Sequence, residues 1–196
     1  MADNIKLIEN YVYLYHTDTL ILIPSYPQQI NDSMSVSYQS TTPLARTAPI
    51  YSYSGSGPRT LQITLNLHRD MMNNLNYKNS KINLDIGDDY VDTMIKQLQA
   101  AALPEYSMKD KMINPPIVAV RFGDDIFCKG VVSGGVSLSY GIPIIEDKYG
   151  NSKYAIVNVT FTLNEIEPYD ATTVMQAGSF RGLDTTLERN IWKKST

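Results

Sequence analysis

Histidine, cysteine and basic charge are all scarce in this chain, and each shortage removes a class of function. The 196 residues include two histidines, His16 and His68, and one cysteine, Cys128. Metal centres draw on clustered His, Cys, Asp and Glu, and no Cys-x-x-Cys occurs here, so no metal site is expected. A single cysteine excludes an intramolecular disulfide framework and suits a reducing cytosol. Within Ile126-Phe-Cys-Lys-Gly it reads as a small strand residue. Lys and Arg number 17 against 20 Asp and Glu, a net charge of −3 with a pI near 5.3, so no basic field draws the chain to nucleic acid or anionic lipid. The longest apolar run, Leu20 to Pro24, is far too short to span a bilayer. No basic region followed by an apolar stretch opens the chain, and the expectation is a soluble protein made inside a cell, without membrane insertion.

Catalytic patterns are equally sparse. Gly55-Ser56-Gly57 has the wrong spacing for a nucleophile elbow, and the Gly-x-Gly leads into a strand rather than the helix a phosphate cradle needs. His68-Arg-Asp70 mimics the start of a kinase catalytic loop, but Leu75 stands where the metal-binding Asn belongs. Glu165 and Glu167 fall on one side of a strand, as a glycosidase pair would, yet they sit at a strand end before Pro168, where solvated acids are the rule. The sequence predicts neither an enzyme nor a cofactor.

What is abundant is tyrosine, 14 residues against 4 Phe and one Trp. That mix, with many Ser, Thr and Asn, suits pleated surfaces and contact interfaces. Ile5 to Tyr15 alternates in its second half, placing Tyr11, Tyr13 and Tyr15 on one face and Val12 and Leu14 on the other. Further strands are predicted at Thr17 to Ile23, Met34 to Tyr38, Thr60 to His68, the two arms of a hairpin over Ile117 to Val132 that turns at Asp124-Asp125, Val136 to Tyr140 and Tyr154 to Ile166. Gln39 to Pro58 reads as a long excursion with strand character around Ile50 to Tyr53, and excursions of that length are usually functional. Met71 to Lys81 is Asn-rich and reads as a loop. One helix is predicted, about 89–102, capped by Gly87-Asp-Asp, with Val91, Met94, Ile95, Leu98 and Ala102 at helical spacing. After Pro168 the pattern dissolves into Gly178-Ser-Phe-Arg-Gly and a tail carrying Trp192.

The order of four segments carries a family resemblance. They are Pro115-Pro-Ile-Val-Ala-Val-Arg-Phe-Gly, Phe127-Cys-Lys-Gly-Val-Val, Val136-Ser-Leu-Ser-Tyr, and Tyr154-Ala-Ile-Val-Asn-Val-Thr-Phe-Thr-Leu-Asn-Glu-Ile-Glu-Pro-Tyr-Asp-Ala. Together they resemble the tube and baseplate-hub proteins of contractile phage tails and related injection systems. Leu22-Ile-Pro-Ser-Tyr-Pro-Gln-Gln-Ile, Thr47-Ala-Pro-Ile and Gly57-Pro-Arg-Thr-Leu-Gln-Ile-Thr-Leu resemble the N-terminal half of that family.

The resemblance implies a mainly β protein, a tail-tube-like barrel or sandwich with one packed helix and extended terminal arms. It implies an arm over 1–15, a β domain over 16–171 and a second arm over 172–196. It further implies a structural virion protein, assembled in the host cytoplasm, that forms or initiates the tail tube at the baseplate hub. Its partners would be copies of itself in a ring and other tail proteins, with DNA only passing through the lumen. The polar strand face of Thr60, Gln62, Thr64 and Asn66 would line that lumen or face solvent. No peptidoglycan-binding LysM module follows the barrel before Thr196, so a purely structural role is favoured. Tube initiator, hub adaptor and wedge component all fit. Candidate partner contacts are Tyr11, Tyr13, Tyr15, Tyr51, Tyr53, Arg59, Phe180, Arg181 and Trp192. The alternative is a monomeric β-sandwich module that stacks carbohydrate or peptide on Tyr51 and Tyr53.

Overall fold

Leu61, Ile63, Leu65 and Leu67 alternate with polar residues, and so do Val157, Val159, Phe161 and Leu163. The computed structural model pairs the two runs antiparallel, with Leu61 opposite Leu163 and Leu67 opposite Val157. All eight apolar side chains are buried, because a strand turns every second residue to the same face. The structure describes residues 10–23, 26–73, 89–106, 113–114, 116–147, 149–167 and 169–194.

The strands are β1 (Asn10–Leu14), β2 (Thr19–Leu22), β3 (Gln29–Thr41), β4 (Ile50–His68), β5 (Glu105–Tyr106), β6 (Ile113–Asn114), β7 (Ile117–Phe122), β8 (Ile126–Glu146) and β9 (Ser152–Glu165). The helices are α1 (Arg69–Asn73), α2 (Tyr90–Ala100), α3 (Ala171–Ala177) and α4 (Thr185–Lys194), with a 3-10 turn at Gly178–Phe180. β5 and β6 pair with each other; the other strands form one antiparallel sheet in the order β2-β1-β7-β8-β9-β4-β3.

The sheet curves around α2. Ile21 and Ile23 at one edge, and Ile30 of β3 at the other, pack into the same core as the helix. Tyr90 donates its hydroxyl to the Leu22 carbonyl at 2.9 Å, tying the helix start to β2. Eleven residues are too few for a helix to stand alone in water. Burial of Tyr90, Val91, Met94, Ile95 and Leu98, at about 1.5–3 kcal/mol each, supplies roughly 10 kcal/mol before entropy is charged against it. Asp89 caps the helix by accepting from the Val91 N–H at 2.9 Å.

The mainly β class and the central helix match the sequence reading; four local readings change, the first at residues 71–73, which belong to α1 rather than to a loop. Residues 10–14 are an interior strand between β2 and β7, because both of their faces find cover. Most of the segment over 39–58 is strand: β3 runs to Thr41 and β4 starts at Ile50, so only 42–49 turn. Of its two glycines, Gly57 permits close strand contact, since a Cβ there would lie 2.2 Å from the Ser35 hydroxyl, while Gly55 has open space around it. Residues 171–194 form α3 and α4, in place of an extended arm and a single-helix fold. Ile5 to Glu9, the breakers Pro24 and Pro168, residues 74–81 of the Asn-rich loop, and Gly87-Asp88 ahead of the helix lie outside the described residues.

Gly130, opposite Glu165, packs directly against the backbone of β9. A Cβ there would lie 2.2 Å from the Asn164 carbonyl oxygen, a backbone atom that cannot swing aside. Gly130→Ala is therefore expected to destabilise the fold by about 1–3 kcal/mol, as overpacking does, read from the midpoint of urea unfolding.

Candidate functional site

The β4–β9 ladder ends at Thr60 opposite Asn164, and among the described residues β4 from Arg59 back to Ile50 pairs only with β3. The result is a two-stranded ribbon projecting beyond the sheet. Met34, Val36, Tyr38, Ile50, Tyr51 and Tyr53 on it are 46–66% exposed, and Leu44 at its tip is fully exposed. Tyr38 and Tyr53 are directly opposite and meet edge to face, centroids 5.7 Å apart. The Tyr53 hydroxyl lies 2.6 Å from that of Ser56. The ribbon is thus paired along its length, with large side chains left exposed among the described residues.

A second ribbon projects from the opposite end. β7 pairs with β8 only from Ile126 to Val131, and among the described residues no strand pairs with that edge from Val132 to Glu146. Tyr140, Ile142, Ile144, Tyr149 and Tyr154 are exposed there, and Tyr140 and Tyr154 lie 5.6 Å apart. Its turn is fixed by Asp147, which accepts from the backbone of Tyr149 and Asn151 at 2.8 and 2.9 Å. Hydrogen bonds from the Asn151 side chain and backbone hold the Asp147 carboxyl down at about 2.

Arg59 anchors the first ribbon where it leaves the sheet. Its side chain is 3% exposed and grips Asp32 of β3, Nε to Oδ1 at 2.9 Å and Nη2 to Oδ2 at 2.8 Å. Nη1 donates to the Phe127 carbonyl at 2.9 Å and lies 3.6 Å from Glu165. Arg181 adds a bond to Asp32 at 3.2 Å. Burial opposes ionisation of Asp32, but the two guanidiniums outweigh it and hold the carboxyl below its usual range. Burial pushes Glu165 the other way, upward, against the pull of Tyr169, Arg59 and Arg181. These residues floor a cleft of about 960 Å³ whose walls include Met34, Ile166, Val174 and Met175.

On the outer face of β1 and β7, α4 lies against Tyr11, Leu20 and Ala119 through Leu187. Asp184 caps α4, accepting from the Thr186 and Leu187 N–H groups at 3.0 and 2.9 Å. Tyr15 donates to Asp184 at 2.7 Å, and Glu188 accepts from both Tyr11 and Arg121, the latter at 2.7 Å. Burial, then the bond to Glu188, raises the Tyr11 pKa, so it stays a protonated donor.

The predicted contact residues separate into three places. Tyr51 and Tyr53 are exposed on the first ribbon, and Arg59 and Arg181 meet at its root. Tyr11, Tyr13 and Tyr15 are instead occupied within the chain: Tyr11 is 3% exposed, and Tyr13 bonds Asp18 and stacks edge to face on Tyr15. Phe180 stacks on Phe127 at 5.8 Å with its outer face exposed, and Trp192 falls within α4, its side chain outside the described residues. Glu165 and Glu167 do share a side, both within reach of the Tyr169 hydroxyl at 3.0 and 3.4 Å. Thr60, Thr64 and Asn66 are part-buried and Gln62 exposed; Gln62 accepts from Asn31 at 3.2 Å across β3 and β4. Burial pushes the Cys128 thiol up to about 12, which leaves it protonated and unreactive. Sequence reasoning missed the β8–β9 ribbon and the pairing of Asp32 with Arg59, which are 27 residues apart across a hairpin. No protein-family model matches the chain, and no curated protein sequence matches it either.

Asp32→Asn leaves the buried Arg59 with Glu165 at 3.6 Å as its nearest carboxylate and is expected to cost about 1–3 kcal/mol, less than a fully buried pair because Asp32 is 35% exposed. A depressed carboxyl contributes stability above the unfolded Asp pKa of about 4, lost as pH falls through the lower folded value. The variant's loss should therefore shrink as pH is lowered below about 4, measured by thermal unfolding across pH.

Proposed function

We propose that this chain is a structural subunit of a phage tail or related injection device, forming or initiating the tube at the baseplate hub as a ring of identical copies. The observation that carries the reading is the β3–β4 ribbon beyond Arg59, where two strands expose aliphatic and tyrosine side chains and no third strand among the described residues covers them. Two-stranded ribbons are marginal in water, and a folded ribbon with such a surface gains most by packing on another subunit.

The sheet edges support the same role. β3 is an edge strand of 13 residues, and β8 has an open edge over 132–146. Pairing the β3 edge of one copy with the β8 edge of the next is a head-to-tail contact, which closes into a ring when the rotation allows. Strand pairing of this kind draws affinity from main-chain hydrogen bonds. The ribbons at opposite ends of the sheet are placed to touch the rings above and below. In this reading DNA only passes through the lumen, and other tail proteins seat on the outer rings.

The reading is tested on purified protein by light scattering across a concentration range, with negative-stain imaging, alone and with tail proteins. Rings are expected. Tyr53→Lys should keep the circular-dichroism spectrum and weaken assembly by about 30-fold or more, as loss of an aromatic anchor does. A compact monomer under every condition would overturn the proposal in favour of a ligand-binding module, and a glycan screen would follow.

A further inference from the structure

The cleft at the root of the β3–β4 ribbon has an unbalanced charge. Asp32, Glu165, Glu167 and Asp170 line it against Arg59 and Arg181. Both guanidiniums are already bonded to Asp32. Glu165 is the telling residue, because its side chain is 1% exposed and its Oε2 has no hydrogen-bond partner among the described residues. A buried carboxylate oxygen without a donor costs the fold free energy that an incoming donor recovers. Beside it Met34, Val174 and Met175 offer an apolar wall. Carboxylates next to an aliphatic wall suit a side chain with an apolar stem and a cationic head.

The tip of the same ribbon has the complementary features. Leu44 is fully exposed and Arg46 is exposed beside it. The turn is held by the Arg46 N–H bonded to the Pro43 carbonyl at 3.1 Å, and by Ala45 in the left-handed region at φ 72°. Ile50 to Arg59 is a paired strand of about 30 Å at roughly 3.3 Å per residue, so the tip does not reach its own cleft. We propose that the cleft is the receptor for the ribbon tip of a second copy, with Leu44 against the Met34 and Met175 wall and Arg46 donating to Glu165 and Glu167. The contact is heterologous, so each copy offers a tip and a cleft. It rests on the assembly reading above and names one of its joints.

The test uses the full-length Arg46→Glu protein, whose own tip cannot fill the cleft, labelled with 13C at the methionine methyls. A disulfide-cyclised peptide carrying residues 40–51 is titrated in. Saturable shifts of the Met34 and Met175 signals are expected, with Met94 in the core unmoved. The same peptide with Arg46→Glu should leave them unchanged, and Glu167→Lys in the protein should weaken binding at least tenfold. Glu165→Gln should weaken it as well; Glu167 is exposed, so its variant does not depend on the core tolerating change. No shift at saturating peptide, or an equal shift from the Arg46→Glu peptide, overturns the proposal. Light scattering of the wild-type chain separates the two ideas. Rings with a silent cleft sink the joint and spare the assembly, while a binding cleft in a persistent monomer does the reverse.

Discussion

The buried Arg59 guanidinium sits at the point where this fold changes character. On one side of it β4 is sandwiched between β3 and β9 and buries every second residue; on the other side β4 has β3 alone. A two-stranded ribbon hinged on a single ladder would swing freely. Arg59 prevents this by bonding Asp32 on β3, the Phe127 carbonyl on β8 and, more weakly, Glu165 on β9. One planar side chain thereby fixes the direction of the ribbon against three strands. The cost is a charge taken out of water, which is tolerable only because its donors find acceptors in the forked geometry that guanidinium favours.

A second ionic bracket fixes the opposite end. Arg69 pairs with Asp89 and Asp92 at 2.8 Å and donates to the Tyr154 carbonyl at 2.7 Å, while Lys153 reaches Asp92 at 2.8 Å. Burial lowers and its acids raise the Arg69 pKa, the acids prevailing, so the bracket stays charged. It joins the start of α2 to the base of the β8–β9 ribbon. The two ribbons are therefore referenced to the same helix and sheet, and their separation is set by covalent strand length and two charged clamps. In the proposed assembly, where each copy would meet neighbours above and below, that constancy would matter more than extra stability.

How much of this was legible in the sequence follows from the range of each interaction. Period-two alternation in Thr60 to His68 and Tyr154 to Ile166 is local, and it placed both strands and their inward faces. Helical spacing and the Asp89 cap placed α2. Strand character at Met34 to Tyr38 and Ile50 to Tyr53 was legible, but not that these strands project beyond the sheet, because alternation signals a half-buried strand and Ser33-Met-Ser-Val-Ser-Tyr and Tyr51-Ser-Tyr-Ser-Gly-Ser-Gly alternate with no core to face. Pro and Gly in 39–58 then argued for a loop. The Asp184-Thr-Thr-Leu-Glu cap of α4 is readable locally, but the loss of pattern after Pro168 points instead to an extended arm. Nothing local could have shown that Tyr11 and Tyr15 find Glu188 and Asp184, some 170 residues away.

The edges bear on whether these surfaces exist to be used. Monomeric β proteins guard long edge strands with lysine, proline, bulges or a covering segment. β3, from Gln29 to Thr41, contains no Lys, Arg or Pro. It has register shifts between Met34 and Val36 and between Ser37 and Tyr38, which twist the strand but leave the stretches on either side regular. The open part of β8 carries Pro143 and irregularities at 133–136 and 141–144, with a regular paired run between them. Guarding is thus partial, and it falls at intervals rather than along the whole edge. Bulges at set positions do less to block strand pairing than to restrict it to one register, since a slipped partner would meet the kink instead of a donor row. An edge that resists only the wrong partner is what a chain needs when the right partner is another copy of itself.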